Sequence, residues 1–192
     1  MAGIFSLWAE SFDLPILDWI AEHFYCAVLD KLMPVITLLG DAGIFWILLA
    51  VICMALPRTR KTGFSMAAAL LIGLVVCNLC MKPLFARIRP YDYQLEHFGK
   101  QIHLLVEAQH DFSFPSGHTI ASFEAAVAIF LRNKKWGIPA LVLAVLIAFS
   151  RLYLYVHYPS DVICSVILGT LIAFASCRLV DRGYDLYRTK KG

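Results

Sequence analysis

Charged residues are scarce in this chain of 192 amino acids, and their scarcity decides the setting of the protein. Asp, Glu, Lys and Arg together make up 16% of the residues, hydrophobic residues make up 60%, and the mean hydropathy is +0.71. So few polar side chains cannot cover the surface of a soluble globule. The sequence therefore predicts an all-α integral membrane protein and excludes a soluble enzyme.

Other features are missing as well. The formal net charge is only +3, without the basic excess that a nucleic-acid partner requires, so no nucleic acid is expected. The start of the chain lacks the basic residues and small-residue cleavage site of a signal peptide. Cys77 and Cys80 have CxxC spacing, but they lie in an apolar run and are interpreted as small hydrophobic residues. Without repeats or low-complexity tracts, residues 1–192 are expected to form one domain.

Charged and polar segments separate several long apolar runs. A transmembrane helix needs about 20 residues, with a range of about 17 to 25, and several runs reach that length only with their polar flanks. We therefore predict a polytopic bundle of five transmembrane helices. The runs lie at 42–57, 62–81, 117–131, 136–150 with an extension to 156, and 162–177.

The first 41 residues do not fit this pattern, because charges interrupt their apolar positions. Asp13, Asp18, Glu22, Asp30 and Lys31 recur along the segment. Such charges are costly at the centre of a bilayer and tolerated at its surface. We expect residues 1–41 to form interfacial amphipathic helices, followed by a helix bundle at 42–178.

The first of three charged clusters is Lys82 with Arg89 and Pro90, at the end of the second apolar run. Pro90 is expected to end the helix. A guanidinium offers phosphate oxygens a planar fork and an ammonium offers a compact point charge, so the two cations suit a phosphate. The alternative is that both side chains only reach from an apolar helix to the membrane surface.

The second cluster, Pro115-Ser116-Gly117-His118, precedes the third apolar run. Ser116 is suited to cap a helix and Gly117 lets a ligand approach the backbone, so the helix start is a candidate anion seat. His118 would lie in the first turn, where it could exchange a proton with a leaving oxygen. The alternative is a plain helix cap followed by an interfacial histidine.

The third cluster comprises Ser150, Arg151, His157 and Asp161. Asp161 follows His157 by four residues, a spacing that could place the carboxylate against the imidazole ring and fix which nitrogen is free. A histidine held in this way is a candidate nucleophile towards phosphorus. The alternative is an interfacial salt bridge between Arg151 and Asp161.

The distribution of basic residues predicts the orientation of the protein. If five helices alternate, the segments 57–61 and 132–135 and the tail from 178 share one side, which then carries 11 of the 17 Lys and Arg residues against six on the other. Because basic loops mark the cytoplasm, the three clusters and the loop 83–114 are expected to be extracytoplasmic. We predict a multi-pass protein of the plasma (inner) membrane.

Taken together, the clusters resemble the complete signature of the type 2 phosphatidic acid phosphatase family. Their order and spacing agree with that signature at every position, and the resemblance covers residues 42–178. The matching residues are Lys82, Arg89, Pro90, Pro115, Ser116, Gly117, His118, Ser150, Arg151, His157 and Asp161.

The resemblance implies a role for each position. His157 would attack phosphorus and form a phosphohistidine, Asp161 would orient it, and His118 would protonate the leaving oxygen and later activate water. Since phosphoryl transfer depends on positioning and charge stabilisation, three cations can replace a metal, and no metal or other cofactor is expected. The phosphate-binding residues would be Lys82, Arg89, Ser116, Gly117 and Arg151.

An outward site at helix ends suits a lipid whose head is phosphorylated and whose tail stays in the bilayer. The expected partners are therefore a lipid phosphate substrate and membrane lipids. Undecaprenyl diphosphate is favoured because its recycling is extracytoplasmic, with phosphatidylglycerophosphate and phosphatidic acid as alternatives. A lipid-phosphate transporter or flippase would need the cations but has little use for two histidines and a carboxylate in register. Intact catalytic positions also speak against an inactive binder.

Two features lie outside the signature. The histidines and acidic residues of the loop, from His97 to Asp111, match no strong metal-binding spacing. Glu124 is a charge within the third apolar run and is expected to face the bundle or a polar cavity rather than lipid. Pairing inside the protein and contact with the substrate head both remain open for it.

Overall fold

The computed structural model describes residues 2–190, and all regular secondary structure in that range is helical, which confirms the all-α prediction. The α-helices are α1 Ala2–Trp8, α2 Leu14–Phe24, α3 Ala27–Leu38, α4 Ile44–Ala55, α5 Arg60–Leu74, α6 Lys82–Phe85, α7 Pro90–Phe98, α8 Gly117–Arg132, α9 Lys134–Tyr153 and α10 Pro159–Thr189. A π-helical turn, Ala9–Asp13, joins α1 to α2, and a 3₁₀ turn, Asp41–Gly43, precedes α4. A π-helical stretch, Val75–Met81, joins α5 to α6.

Helix α8 forms the centre of the bundle, where it packs against α5, α9 and α10. Buried alanines, including Ala125, Ala126 and Ala128, leave room for the neighbouring helices to approach closely. Trp46 of α4 donates a hydrogen bond from its indole to the Ser122 hydroxyl at 3.0 Å. With 16 residues, α8 is about 24 Å long. This is shorter than the hydrocarbon core of a typical bilayer, which is about 30 Å thick.

Long apolar helices support insertion into a membrane. Within residues 2–190, three helical stretches are long and apolar enough to span a bilayer, namely Arg60–Phe98, Lys134–Tyr153 and Pro159–Thr189. A fourth results if Ala27–Leu38 and Asp41–Ala55, which are bent by 41°, are taken as one span. The protein is therefore an integral membrane protein, and the number of five spans stays a prediction.

The two ends of the bundle have different charges. At one end, the Asp181 carboxylate lies 2.5 Å from the Lys61 ammonium and 2.8 Å from the Arg132 guanidinium. The segments 57–61 and 132–135 and the last part of α10 therefore meet there. The signature positions gather at the opposite end. Lys191, which was counted with the basic tail, lies outside the described residues.

The N-terminal segment is packed into this opposite end. Leu14, Leu17 and Ile20 of α2 are buried in a cluster that includes Tyr153. Asp13 is one of the charges of residues 1–41, yet it is 0% exposed and lies inside the protein. Burial is tolerated because a buried cation and hydrogen-bond donors surround this carboxylate.

That cation is Arg87, whose guanidinium joins the N-terminal segment to the start of α10. Its Nη2 lies 2.6 Å from Asp13 Oδ2 and its Nη1 lies 2.5 Å from Asp161 Oδ1. Ser160 donates to Asp13 from both its amide and its hydroxyl, each at 2.8 Å. The Tyr158 ring lies 3.7 Å from the guanidinium carbon. This network holds the beginning of α10 in place.

Pro90 begins a helix instead of ending one, which corrects the sequence prediction. Helix α6 ends at Phe85, where Ala86 adopts a left-handed conformation with φ 43°. Pro90 is then the first residue of α7, a position where its missing N–H costs no hydrogen bond. The predicted loop 83–114 therefore contains α7, and its irregular part follows that helix.

Asp13→Ala should destabilise the protein strongly, because it leaves the buried Arg87 with one carboxylate instead of two. Removing one partner of a buried ion pair costs about 3–5 kcal/mol, so we expect a loss in this range in the free energy of unfolding, measured in mixed detergent micelles. Lys100→Ala is the control, since the exposed Lys100–Asp18 pair at 3.2 Å should contribute only about 0–1 kcal/mol. Equal losses in both variants would contradict the role given to Asp13.

Candidate active site

A cavity of about 560 Å³ opens among the signature residues. Its walls change character with depth, from charged at the end of the bundle to apolar between α4, α5 and α8. The charged wall is formed by Lys82, Arg89, Asp111, His118, Arg151 and His157. The apolar wall is formed by Ile47, Ala50, Val51, Met54, Leu70, Leu71 and Leu74. Such a cavity suits an amphiphile with an anionic head.

His157 lies in the short connection between α9 and α10 and is 1% exposed. Its Nδ1 lies 3.5 Å from both the Ser113 hydroxyl and Asp161 Oδ2, while its Nε2 lies 3.3 Å from Arg89 Nη1. The two nitrogens therefore have different surroundings. Because hydroxyl and carboxylate oxygens face Nδ1, Nε2 is the nitrogen directed towards the cations.

The environment of His157 keeps its ring neutral. Burial lowers the pKa of His157 well below its ordinary value, and the nearby Arg89 and Arg151 lower it further. A neutral imidazole has a free lone pair at neutral pH. The ring can therefore act as a nucleophile without first losing a proton.

Asp161 lies in the first turn of α10, where it fixes several groups at once. Its Oδ2 accepts hydrogen bonds from the Ser113 hydroxyl at 2.5 Å and from the Tyr158 amide at 3.0 Å, and its Oδ1 faces Arg87. The amide contact caps the start of α10. The alternative of an Arg151–Asp161 salt bridge is wrong, because Arg87 occupies the place of that partner.

Lys82 and Arg89 share one carboxylate, that of Asp111 in the irregular segment before α8. Lys82 Nζ contacts Asp111 Oδ2, and Arg89 Nη2 lies 2.5 Å from Asp111 Oδ1. Arg89 also donates to the Asp111 carbonyl at 2.9 Å and to the Val156 carbonyl at 2.8 Å. The Asp111 side chain is 52% exposed. The two cations thus already hold an anionic group that is not locked into the core.

Asp111 stays ionised throughout the neutral range. Burial alone would raise its pKa, but the hydrogen bond and charge of Lys82, together with Arg89, lower the pKa of Asp111 to about 2. A change of pH near neutrality therefore does not release the two cations. An anion with more charge or more acceptor oxygens can compete for them.

Arg151 ends α9 and is 2% exposed. Its Nη1 donates to the Thr37 hydroxyl at 2.5 Å. Its Nε and Nη2 are buried and have no hydrogen-bond partner among the described residues. Buried guanidinium groups are normally paired, because an unmatched buried charge costs several kcal/mol. These two free donors belong to a residue that lines the cavity, so an anion is the partner that they lack.

His118 contacts a carboxylate that sequence analysis did not consider. Its Nε2 lies 2.6 Å from Asp41 Oδ1, in the turn between α3 and α4. The ring is largely buried, whereas Asp41 is half exposed. This contact leaves Nδ1 as the nitrogen available to a ligand.

The start of α8 differs in part from the predicted anion seat. Ser116 occupies the cap position, but its hydroxyl accepts from Thr119 at 3.0 Å and its amide donates to Ser165 at 2.8 Å. Ser116 is fully buried and is not among the residues that line the cavity, so its contact with phosphate stays a prediction. Gly117 does line it, and a Cβ at that position would meet nothing closer than Asn78 at 3.9 Å.

Glu124 lies on the cavity-lining face of α8, inside the bundle as its charge requires. Its Oε2 is buried without a hydrogen-bond partner among the described residues. A Cβ at Gly73 of α5 would lie 2.1 Å from that oxygen, so only glycine leaves room for this carboxyl group. Glu124 forms no salt bridge in the described part of the chain, which disfavours the pairing interpretation.

The histidines of the loop do not form a cluster. His97 stacks on Tyr93 with ring centroids 3.9 Å apart. Within residues 2–190, no three His, Cys, Asp or Glu side chains come together in a way that could hold a metal ion. Of the acidic and histidine residues from His97 to Asp111, the one that lines the cavity is Asp111.

The chain is similar to proteins of a known family. A sequence model of the PAP2 superfamily matches residues 59–184, more than half of the chain. The protein belongs to the PAP2 superfamily. The chain is 32% identical to an undecaprenyl-diphosphatase of Sulfolobus acidocaldarius over 158 residues, which cover 82% of this chain and 73% of that protein. It is 30% identical to the undecaprenyl-diphosphatase BcrC of Bacillus subtilis over 155 residues, 81% of this chain and 77% of that one.

The fold of this PAP2 protein is similar to the crystal structure of LpxE from Aquifex aeolicus. The TM-score is 0.75 at 22% identity, and the match covers 88% of this chain and 96% of that one. The family model and the two relatives confirm the family resemblance of the signature. On the same findings, the protein is a membrane lipid phosphatase.

Several residues of the PAP2 site were missed by sequence analysis. Thr37 and Asp41 precede the region that the family model matches, and the sequence around them contains no recognisable motif. Arg87 was counted only as a loop charge, and Asp111 only as a weak metal ligand. The sequence signal for Asp111 is its position seven residues before His118, which places both residues at the same end of the bundle.

Asp111→Asn should strengthen binding of inorganic phosphate. The amide keeps the size of the side chain but removes the charge that neutralises Lys82 and Arg89, so an incoming anion no longer has to displace it. We expect phosphate to bind about 3- to 10-fold more tightly in calorimetric titration of the solubilised protein, or roughly 1 kcal/mol. Glu107→Gln, an exposed carboxylate of the same segment, is the control. Weaker binding in Asp111→Asn would mean that Asp111 supports the two cations rather than competing for them.

Proposed function

We propose that the protein removes the terminal phosphate of undecaprenyl diphosphate through a phosphohistidine on His157, without a metal ion. Lys82, Arg89 and Arg151 bind the phosphate oxygens in this proposal, with help from the Gly117 backbone. His118 acts as acid and then as base. Each role rests on a position of the signature and on the geometry of the cavity.

The observation that carries the proposal is the unsatisfied guanidinium of Arg151. Its two free donors are buried without a partner and point to an anionic ligand, and Arg151 lines the same cavity as His157 and the other two cations. A phosphoryl group in transfer spreads negative charge over three oxygens, and fixed cations around it stabilise that charge. A neutral histidine beside three cations therefore favours phosphoryl transfer over passive anion binding.

In the first half of the reaction, the lone pair of His157 Nε2 attacks the terminal phosphorus. The N–P bond forms while the bond from phosphorus to the bridging oxygen breaks. The leaving oxygen receives a proton from protonated His118, so undecaprenyl phosphate departs with its charge partly neutralised. Ser113 and Asp161 hold the His157 Nδ1 proton and stabilise the charge that develops on the ring.

In the second half, neutral His118 takes a proton from a water molecule whose oxygen attacks the phosphohistidine. The N–P bond breaks, His157 regains its lone pair, and inorganic phosphate leaves. Asp111 can then return to Lys82 and Arg89. Its carboxylate shields the two cations between turnovers and must be displaced whenever a phosphate head enters.

The choice of substrate rests on the cavity and on the relatives. The apolar wall between α4, α5 and α8 offers a lipid tail a place beside the charged end. Two relatives that each match more than 80% of the chain carry the name undecaprenyl-diphosphatase. Phosphatidylglycerophosphate and phosphatidic acid are alternatives of the same class. A transporter or flippase is disfavoured, because it gains nothing from two histidines that each contact a carboxylate.

We also propose that the whole chain is one domain with five spans in the plasma membrane and its site on the extracytoplasmic side. The support is the excess of basic residues at the end where Lys61 and Arg132 meet Asp181. Residues 1–41 then lie along the membrane surface. In sealed right-side-out vesicles, phosphate released from the lipid should appear in the outer medium.

The solubilised protein should release phosphate from undecaprenyl diphosphate in the presence of a chelator. His157→Ala should abolish the release because the nucleophile is gone. His118→Ala should slow it by about 10²- to 10⁴-fold, the range that general acid–base catalysis contributes. Phosphate release is measured colorimetrically for undecaprenyl diphosphate, phosphatidylglycerophosphate and phosphatidic acid in parallel.

Glu96→Gln, an exposed substitution on α7, controls for nonspecific loss of activity. A strict requirement for added divalent metal would overturn the proposed mechanism, and so would near-normal turnover in His157→Ala. A clear preference for one of the two glycerolipid phosphates would retain the mechanism and replace the proposed substrate.

A further inference from the structure

The two histidines of the cavity each contact a carboxylate, but through opposite ring nitrogens. His157 presents Nδ1 to Asp161 and keeps Nε2 for the cavity. His118 presents Nε2 to Asp41 at 2.6 Å and keeps Nδ1. We propose that Asp41 is a positioning residue that fixes the His118 ring so that Nδ1 exchanges the catalytic proton. This inference rests on the proposed phosphatase mechanism.

The backbone around Asp41 is shaped to fit the His118 ring. A Cβ at Gly40 would lie 2.7 Å from His118 Cδ2 and 2.9 Å from Ile147 Cγ2, so any other residue would push the turn away from the ring. Ala42 and Gly43 then take left-handed conformations, with φ 48° and 66°. For alanine this conformation is strained. Strain next to a close contact indicates that the position of this turn is held by its surroundings.

The charges around His118 explain why a carboxylate is useful there. Arg151 from α9, Arg89 from before α7, and His157 from before α10 all face the ring, and the two arginines oppose its protonation. Burial opposes protonation of the ring most strongly, and the hydrogen bond and charge of Asp41 act in the opposite direction. A general acid surrounded by phosphate-binding cations needs such a counter-charge to be protonated when the substrate arrives.

The contact also determines which proton moves. In the protonated ring, Nε2–H stays bonded to Asp41 while Nδ1–H passes to the leaving oxygen as its bond to phosphorus breaks. The neutral ring that results has its lone pair on Nδ1, where it accepts a proton from the attacking water. The ring returns to its protonated form as phosphate is released. Asp41 remains ionised throughout and transfers no proton, which is how a carboxylate supports the histidine of a catalytic triad.

Asp41→Asn should lower kcat by about 10- to 100-fold and leave KM within about twofold, because the ring loses its orientation and counter-charge while phosphate binding is untouched. The loss should be larger for a lipid monophosphate, whose leaving alkoxide needs a proton, than for an aryl phosphate, whose leaving group does not. The alkaline limb of the kcat profile should move to lower pH, since the protonated ring is less stable without Asp41. Asp41→Glu should restore part of the rate.

Three comparisons separate positioning from a structural effect. The double variant Asp41→Asn with His118→Ala should be no slower than His118→Ala alone, because Asp41 acts only through His118. Glu96→Gln, a carboxylate-to-amide change away from the cavity, should leave the pH profile unchanged. A slow Asp41→Asn enzyme with an unshifted pH profile and an equal loss for aryl and alkyl phosphates would overturn the proposal.

A spectroscopic test does not depend on turnover. ¹⁵N NMR of the imidazoles in detergent micelles, assigned with His118→Ala, should place the proton of the neutral His118 ring on Nε2 in the wild type and shift it towards Nδ1 in Asp41→Asn. A wild-type ring protonated on Nδ1 would refute the inference even if the enzyme is an active phosphatase. Absence of phosphatase activity in the wild type would instead remove the proposed function.

Discussion

Four basic side chains are buried at one end of an apolar bundle, and the degree to which each is neutralised determines its use. Arg87 lies between two buried carboxylates, so it is committed to the fold. Lys82 and Arg89 share Asp111, whose exposed side chain can be displaced. Arg151 has a single hydroxyl partner and two free donors. Buried cations need anions. The fold itself neutralises Arg87, a displaceable carboxylate neutralises Lys82 and Arg89, and Arg151 is left for the ligand.

The N-terminal segment supplies the anions and hydroxyl that make this arrangement stable. Asp13 neutralises Arg87, Thr37 contacts Arg151, and Asp41 contacts His118. All three precede the region matched by the family model. The division of the chain into an interfacial segment and a separate catalytic bundle is therefore too sharp. The signature residues carry the chemistry. The first 41 residues contact two of them, Arg151 and His118, and also the neighbouring Arg87.

The sequence alone predicts those parts of the site whose position in space follows from their position along the chain. His157 and Asp161 lie four residues apart, and the ends of apolar runs must gather at the two membrane faces, so the signature was predicted to converge. Asp13 and Arg87 are 74 residues apart, and no period or spacing links them. Asp13 was also indistinguishable from the other acidic residues near it. Only the packing of α2 into the cluster that includes Tyr153 decides which of these acids is buried.

The central claim is that His157 carries the phosphoryl group, and trapping that intermediate tests it most directly. The solubilised protein is mixed with undecaprenyl diphosphate labelled with ³²P in the terminal phosphate, denatured within milliseconds and digested. The account predicts one labelled peptide containing His157, stable in alkali and labile in acid. Label on another residue, or labelling that persists in His157→Ala, would contradict it.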